Sequence, residues 1–346
     1  MTASATIRIM SAEEIATLGG GEVPFFRAPE PATLFAERQM RLTQLARGHA
    51  LADYLLLMAA VAKSQHRLLA AGGSVVLPDA ATLAAARAAG KPALAIERLP
   101  RTSWWRDVLR AIIDDVAPTA PVATRAALSA LRNEPDDTLE RRADDVLREH
   151  VADVDLAAAP FVGAALQVYW VHALSQLHAR VAAEHGDAIV PGADLSHCPA
   201  CGSRPIASIT RTINNTPGHR YLHCSLCSGE WHRVRTDCTC CGASTALAYQ
   251  SLDYADGGSD VASQEAARAS LAAVQAETCD ACQHYVKIMH TDRDPMVEVG
   301  ADDLAGVTLD LLVSETGKHR FGRNLMLLFS DEARAAPPVP ADPGAT

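Results

Sequence analysis

The chain has 346 residues, about twice a usual domain of roughly 150, and its 49% apolar and 21% charged content is globular usage that excludes global disorder. A net charge of -10, from 31 Lys plus Arg against 41 Asp plus Glu, argues against a protein that coats nucleic acid or an anionic membrane. All nine cysteines lie between Cys198 and Cys282, so the chain divides into a Cys-free part and a Cys-rich part.

Residues 1–27 read as an N-terminal tail. Met1 to Gly21 lacks the basic start and apolar core of a secretory signal, and an odd cysteine count does not fit a secreted disulfide framework. A cytoplasmic protein is expected. The longest uncharged apolar run, Tyr54 to Ala62, is half of what a membrane span needs, so no membrane insertion is expected.

Residues 28–188 are rich in Ala, Leu and Arg and poor in strand signals, which predicts an all-helical domain. One long helix is expected from Leu34 to Ala71, with Leu42, Leu45, Ala52, Leu56 and Ala59 at three- and four-residue steps and Gly72-Gly73 as its stop. Shorter helices follow over Asp79 to Ala89, from a Ser103 cap to Pro118, from Pro121, and over Glu134 to Ala152 with Asp137 as cap. A last long helix runs from Pro160 to His185. Trp104, Trp105, Tyr169, Trp170, His172 and His178 read as core or helix-face residues with no catalytic role. Ile189 to Asp194 is the linker.

Beyond it, short alternating runs predict strands at Ile206 to Ile213, Arg220 to Cys224, Trp231 to Arg235, Leu247 to Leu252 and Tyr285 to Met289. Ser263 to Ala276 reads as helical or irregular. Asp302 and Asp303 are expected to cap a helix carrying Leu304, Val307, Leu311 and Leu312, closed by Gly317. Residues 331–346, with four prolines, read as a disordered tail. The fold class is therefore α+β in two parts.

Four Cys-x-x-Cys pairs carry the chemistry: Cys198 with Cys201, Cys224 with Cys227, Cys238 with Cys241, and Cys279 with Cys282. Two thiolates at this spacing can face one metal when the backbone forms a tight knuckle, and Gly202 and Gly242 follow two of the pairs where such a turn needs freedom. Taken in order, the pairs make two tetrahedral four-sulfur sites, in ribbons over 195–240 and 238–330; crossed pairing would also satisfy valence. Zinc and iron both accept four thiolates, with zinc structural and iron able to carry one electron. Cys240 is left over, either buried or competing with Cys241. His197, His219, His223 and His232 read as neighbours of the sites or surface groups.

These residues, in this order, resemble the FdhE family, the formate dehydrogenase accessory proteins of bacteria. The likeness rests on Cys198-Pro-Ala-Cys-Gly-Ser-Arg-Pro205, on Arg220-Tyr-Leu-His-Cys-Ser-Leu-Cys227 running on to Glu230-Trp-His-Arg233, and on Cys238 to Gly242 with Tyr249. It extends to Glu277-Thr-Cys-Asp-Ala-Cys282 with Tyr285-Val-Lys-Ile288 and to Ala301-Asp-Asp-Leu-Ala305, and more loosely to Leu99-Pro-Arg-Thr-Ser-Trp104. The resemblance implies an all-helical N-terminal domain, two tandem rubredoxin-like metal ribbons and a C-terminal helix. It further implies a cytoplasmic maturation factor, not an enzyme, that binds the immature catalytic subunit of formate dehydrogenase. Two metal ions in four-cysteine sites go with it, iron of the rubredoxin type favoured and zinc the alternative. Cys240 and the Ser259 to Ala276 stretch, which lengthens a loop of the second ribbon, depart from the family pattern.

The alternative class is a zinc-ribbon nucleic-acid binder. Cys198 to Cys240 carries a local excess of +3, whereas Cys241 to Ser330 carries -7, so only the first ribbon is a candidate. No Gly-rich phosphate loop, Rossmann fingerprint or nucleophile elbow supports a stand-alone enzyme. Trp231, His232, Arg233, Arg320 and Arg323 are candidate partner-binding residues, as exposed aromatic and Arg groups anchor interfaces; packing of Trp231 against the ribbon and ordinary solvated arginines are the competing reading.

Overall fold

The computed structural model describes residues 23–148, 155–182, 189–192, 194–252 and 273–328. Most of the predicted N-terminal tail, the predicted tail at 331–346, most of the Ser259 to Ala276 stretch and the ends of the helices predicted to reach Ala152 and His185 lie outside them.

The predicted helix from Leu34 to Ala71 is two helices, α1 (Leu34–Leu45) and α2 (Ala52–Ala71). Gly48, at φ +71°, lets the chain reverse between them, so α1 packs back on α2 with Phe35 and Leu42 fully buried. Asp79 caps α3 (Ala80–Ala88) by accepting the Thr82 N–H at 2.7 Å. Ser103 makes no such bond to α4 (Trp104–Val116), which is held by its apolar stripe of Trp105, Val108, Leu109, Ile112 and Val116. After α5 (Val122–Arg132), α6 (Asp136–Leu147) begins behind Pro135, which places the expected cap Asp137 inside the first turn, pairing with Arg141.

The last helix of this region, α7 (Ala159–Ala182), is apolar on nearly every side because it is surrounded. It packs on α2, α4 and α6, and its Gln167 reaches out of the helical layer to donate to the Ser225 carbonyl at 2.8 Å. One apolar core runs from these helices into the Cys-rich part, including Cys198, Cys201, Cys224, Cys227 and Trp231. Among the described residues no helix is long and apolar enough to cross a membrane.

Among the described residues, the Cys-rich part is built on an eight-stranded sheet of β1 (Phe26–Arg27, from the start of the chain), β2 (Pro205–Ile213), β3 (Thr216–Cys224), β4 (Glu230–His232), β5 (Leu247–Gln250), β6 (Val274–Cys279), β7 (His284–His290) and β8 (His319–Arg320). The order is β1-β4-β3-β2-β7-β6-β5, with β8 on β7. Two antiparallel three-stranded meanders, β2-β3-β4 and β5-β6-β7, are joined by parallel pairing of β2 with β7, where Ser208 lies opposite Ile288. Each meander has a Cys-x-x-Cys knuckle before its first strand and another between its second and third, so the repeat seen in the cysteine spacing is a repeat of structure. Phe26 and Arg27, which fall inside the predicted N-terminal tail, instead form an edge strand on β4, Phe26 opposite Trp231 and Arg27 opposite Glu230. Strand β6 corrects the helical or irregular reading of Ser263 to Ala276 at its end, Val274 to Ala276, the residues before Ala273 lying outside the described ones: Ala276 is buried between β5 and β7, a tertiary environment that overrides weak local propensity.

The predicted C-terminal helix is split by Gly306 into α8 (Val299–Ala305) and α9 (Val307–Glu315). Glu298 is the cap, accepting the Ala301 N–H at 2.7 Å, in place of Asp302 and Asp303. Those two carboxylates are buried inside α8 because they have long-range cationic partners. Arg41 of α1 meets Asp302 at 2.6 and 2.9 Å and Asp294 at 2.6 Å, and Arg38 bonds Glu298 at 3.0 Å. Charge-assisted pairs thus tie the first helix to the last part of the chain.

Candidate metal centres

The pairs meet in chain order. Cys198, Cys201, Cys224 and Cys227 form one group and Cys238, Cys241, Cys279 and Cys282 the other, with the sulfurs of each group within 4.8 Å of one another. Sulfur–sulfur distances within the groups include 3.4 Å for Cys201 with Cys224, 3.6 Å for Cys198 with Cys227, and 3.8 Å for both Cys238 with Cys282 and Cys241 with Cys279. A disulfide would bring sulfurs to about 2.05 Å. Four thiolates about 2.3 Å from a central ion stand roughly 3.8 Å apart in a tetrahedron, so the residues present fit a four-coordinate metal.

The knuckles explain this placement. In the first, Gly202 N–H donates to Cys198 O at 2.8 Å and Cys198 N–H to Ser203 O at 2.9 Å; the third repeats it with Gly242 on Cys238 and Cys238 on Ala243. In all four, the residue after the second cysteine has positive φ: Gly202 (+86°), Ser228 (+55°), Gly242 (+75°) and Gln283 (+58°). Glycine supplies that turn in two knuckles, and Ser228 and Gln283 adopt it at a steric cost. The Leu226 and Cys227 N–H groups both donate to Cys224 Sγ at 3.4 Å.

Burial separates the two sites. The first four cysteines are buried under the helical layer, whereas Cys241 of the second is exposed. Burial and the neighbouring thiols push Cys198 and Cys227 well above the ordinary thiol range. Burial also opposes ionisation of Cys201, but hydrogen bonds from Cys198, Cys224 and Cys227 hold it well below that range. A dry site of this kind accommodates several thiolates only together with a cation. Both groups offer four protein ligands and leave no coordination place for a substrate.

The remaining sequence candidates fall elsewhere. His197 is held by Asp194 at 2.7 Å and His223 faces Glu230 at 3.3 Å; neither they nor His219 and His232 join a cluster among the described residues. Trp231 is fully buried, donating its indole N–H to Leu195 O at 2.9 Å, so it serves the core and is no exposed anchor. Arg320 is likewise turned inward, paired with Asp303 at 2.6 Å and Asp310 at 2.9 Å, and Arg323 donates to Val146 O at 2.5 Å. His232 is half-buried, and Arg233 donates to Cys238 O at 3.2 Å. Part of the positive charge of the first ribbon is also held internally: Arg211 pairs with Glu230, Arg204 lies over the Phe321 ring, and the fully buried Arg220 meets Glu277 at 2.6 Å and Asp237 O at 2.8 Å. Sequence reasoning missed His284, which stands with Cys240 and Cys282 in a third group of metal-ligating side chains; its position two residues after Cys282 was the available signal.

A helical layer packed on one sheet that carries two closed four-cysteine knuckle sites defines a cysteine-ribbon protein built from a duplicated meander. Family descriptions match in series: "FdhE, N-terminal" over residues 23–187, "FdhE, central domain" over 197–235 and "FdhE, C-terminal domain" over 236–327. The chain is 37% identical over 307 residues to a protein FdhE homolog of Yersinia enterocolitica, covering 89% of this chain and 92% of that one. It is 34% identical over 329 residues to one of Haemophilus influenzae, covering 95% and 100%. The crystal structure of the FdhE protein from Pseudomonas aeruginosa superimposes with a TM-score of 0.75 at 36% identity, over 88% of this chain and 99% of that one. The chain belongs to the FdhE family.

Proposed function

We propose that this chain is a cytoplasmic accessory factor for formate dehydrogenase that binds the immature catalytic subunit. The observation that carries the proposal is the pair of closed four-cysteine sites on a chain belonging to the FdhE family: fully ligated sites suit a binding module, whereas a catalytic metal site keeps a place open. Cys198, Cys201, Cys224 and Cys227 would hold one metal ion, and Cys238, Cys241, Cys279 and Cys282 a second. Iron of the rubredoxin type is the proposed occupant, and in such a cage it supplies one-electron chemistry; zinc would supply a fold alone. The partner is proposed to meet the ribbon near His232 and Arg233, the second of which borders the more exposed second site through its bond to Cys238 O.

Metal analysis with a visible spectrum of protein purified without air tests the occupant, and a colourless protein with two zinc ions would sink the iron assignment. A deletion strain should lose formate dehydrogenase activity; full retention would overturn the maturation role. Capture of the catalytic subunit should fail for the Cys224→Ser and Cys279→Ser variants.

A further inference from the structure

The two meanders are built alike, yet the second carries two ligands that the first lacks. The third residue of the first knuckle is Ala200, and the matching residue of the third knuckle is Cys240. The second residue after Cys227 is Gly229, and the second after Cys282 is His284. Neither Ala200 nor Gly229 offers a donor atom, whereas Cys240 and Cys282 each bring a thiol, and His284 a ring nitrogen, within 4.8 Å of one another. Cys240 and His284 are half-buried, close enough to water for an ion to arrive.

We propose that Cys240, Cys282 and His284 form a third metal position, which shares the Cys282 sulfur with the second four-cysteine site and takes a soft divalent ion such as Zn2+ or Cd2+. A thiolate sulfur has lone pairs enough for two ions. Bringing the three donors to the spacing of a tetrahedral ion needs a movement of about 1 Å, which half-buried side chains can make. One ring nitrogen of His284 is engaged with Cys282 O at 2.6 Å. In metal sites such a contact fixes the ring and leaves the other nitrogen basic. Charge favours the arrangement as well: a divalent ion among four thiolates leaves a net charge of about -2, and a second cation shared through Cys282 reduces it. Binding releases the Cys240 thiol proton to solvent. With three protein ligands this position keeps a coordination place open, which neither four-cysteine site does. The position rests on the reading of Cys238, Cys241, Cys279 and Cys282 as a metal site, since it borrows one of their sulfurs.

Native mass spectrometry of the full chain in a Zn2+ titration tests it. Three bound ions are expected in the wild type, the third weakest, and Cys240→Ser and His284→Gln should each weaken the third more than tenfold while keeping two. A wild-type limit of two ions, or a third ion retained by either variant, overturns the proposal. Loss of one of the first two ions in Cys240→Ser also overturns it, by placing Cys240 in the four-cysteine set. Failure of the four-cysteine reading shows separately, as Cys224→Ser and Cys279→Ser variants that keep their full count.

Discussion

Asp303 is the sharpest single test of what holds the C-terminal part together. Its carboxylate is buried, accepts two bonds from the Arg320 guanidinium at 2.6 and 2.7 Å and one from Asn324 at 2.9 Å, and faces Lys287 at 3.3 Å. Asp310 completes the set, meeting Lys287 at 2.6 Å and Arg320 and Tyr285 at 2.9 Å. One buried cation, Lys287, and one partly buried cation, Arg320, thus share two buried anions across α8, α9, β7 and β8. Asp303→Asn preserves the shape and removes one negative charge, leaving Lys287 and Arg320 on Asp310 alone. Breaking a buried pair in this way costs about 3 to 5 kcal/mol, because the uncompensated charge stays desolvated, whereas an exposed pair is worth about 0 to 1 kcal/mol. Urea unfolding of the metal-loaded protein measures the difference. Removing the excess cation as well, in Lys287→Met with Asp303→Asn, should recover part of the loss, with a coupling of about 1 to 3 kcal/mol. An Asp303→Asn cost below about 1 kcal/mol, or strict additivity of the two changes, would refute the reasoning. The same network makes Arg320→Ala a stability variant, so loss of partner capture with unchanged stability would return Arg320 to the surface.

Three further outcomes are expected. Of the two four-cysteine sites the second should yield its ion first to a chelator, since Cys241 is exposed and the first site is covered; a metal-sensitive dye should show two phases, and Cys241→Ser should speed the faster one and leave the slower one unchanged. Gly202→Ala should cost about 1 to 2 kcal/mol, because φ is +86° while the new methyl meets only ordinary contact with Pro92, and Ser228→Gly should be neutral or stabilising in the same unfolding assay. His290 is buried and its side chain bonds Gln275 at 2.9 Å; burial and then Arg293 push its pKa down to about 4. The unfolded chain, titrating near 6.5, therefore binds the proton first as pH falls. Its contribution is full above about pH 6.5 and is lost towards pH 4, up to about 3 kcal/mol; the difference between wild type and His290→Gln across that window measures it, and identical slopes would show that His290 is not held neutral.

What was legible in the sequence was local. Each Cys-x-x-Cys pair is set by adjacent residues, and Gly202 and Gly242 marked two of the four turns; Ser228 and Gln283 carried no signal, since neither residue type asks for positive φ. The helices of the first part were legible through their periodicity, except where a single glycine, Gly48, reverses the chain inside an otherwise continuous apolar pattern. The carboxylates of Asp302 and Asp303 were misread as caps, because a short helix beginning at Asp looks the same whether the side chain caps its own backbone or meets Arg41 and Arg320 hundreds or tens of residues away.

The sequence by itself determined the helical and Cys-rich parts, the eight candidate ligands and the likeness to FdhE proteins, all of which depend on residue type and short spacing. Tertiary structure decided which knuckles meet, that the two meanders join through β2 and β7 into one sheet, that Trp231 and Arg320 face inward, and that His284 stands beside Cys240. The reason is physical: ligand spacing and helix period are properties of neighbouring residues, whereas pairing, burial and charge compensation are settled by which distant surfaces exclude water together.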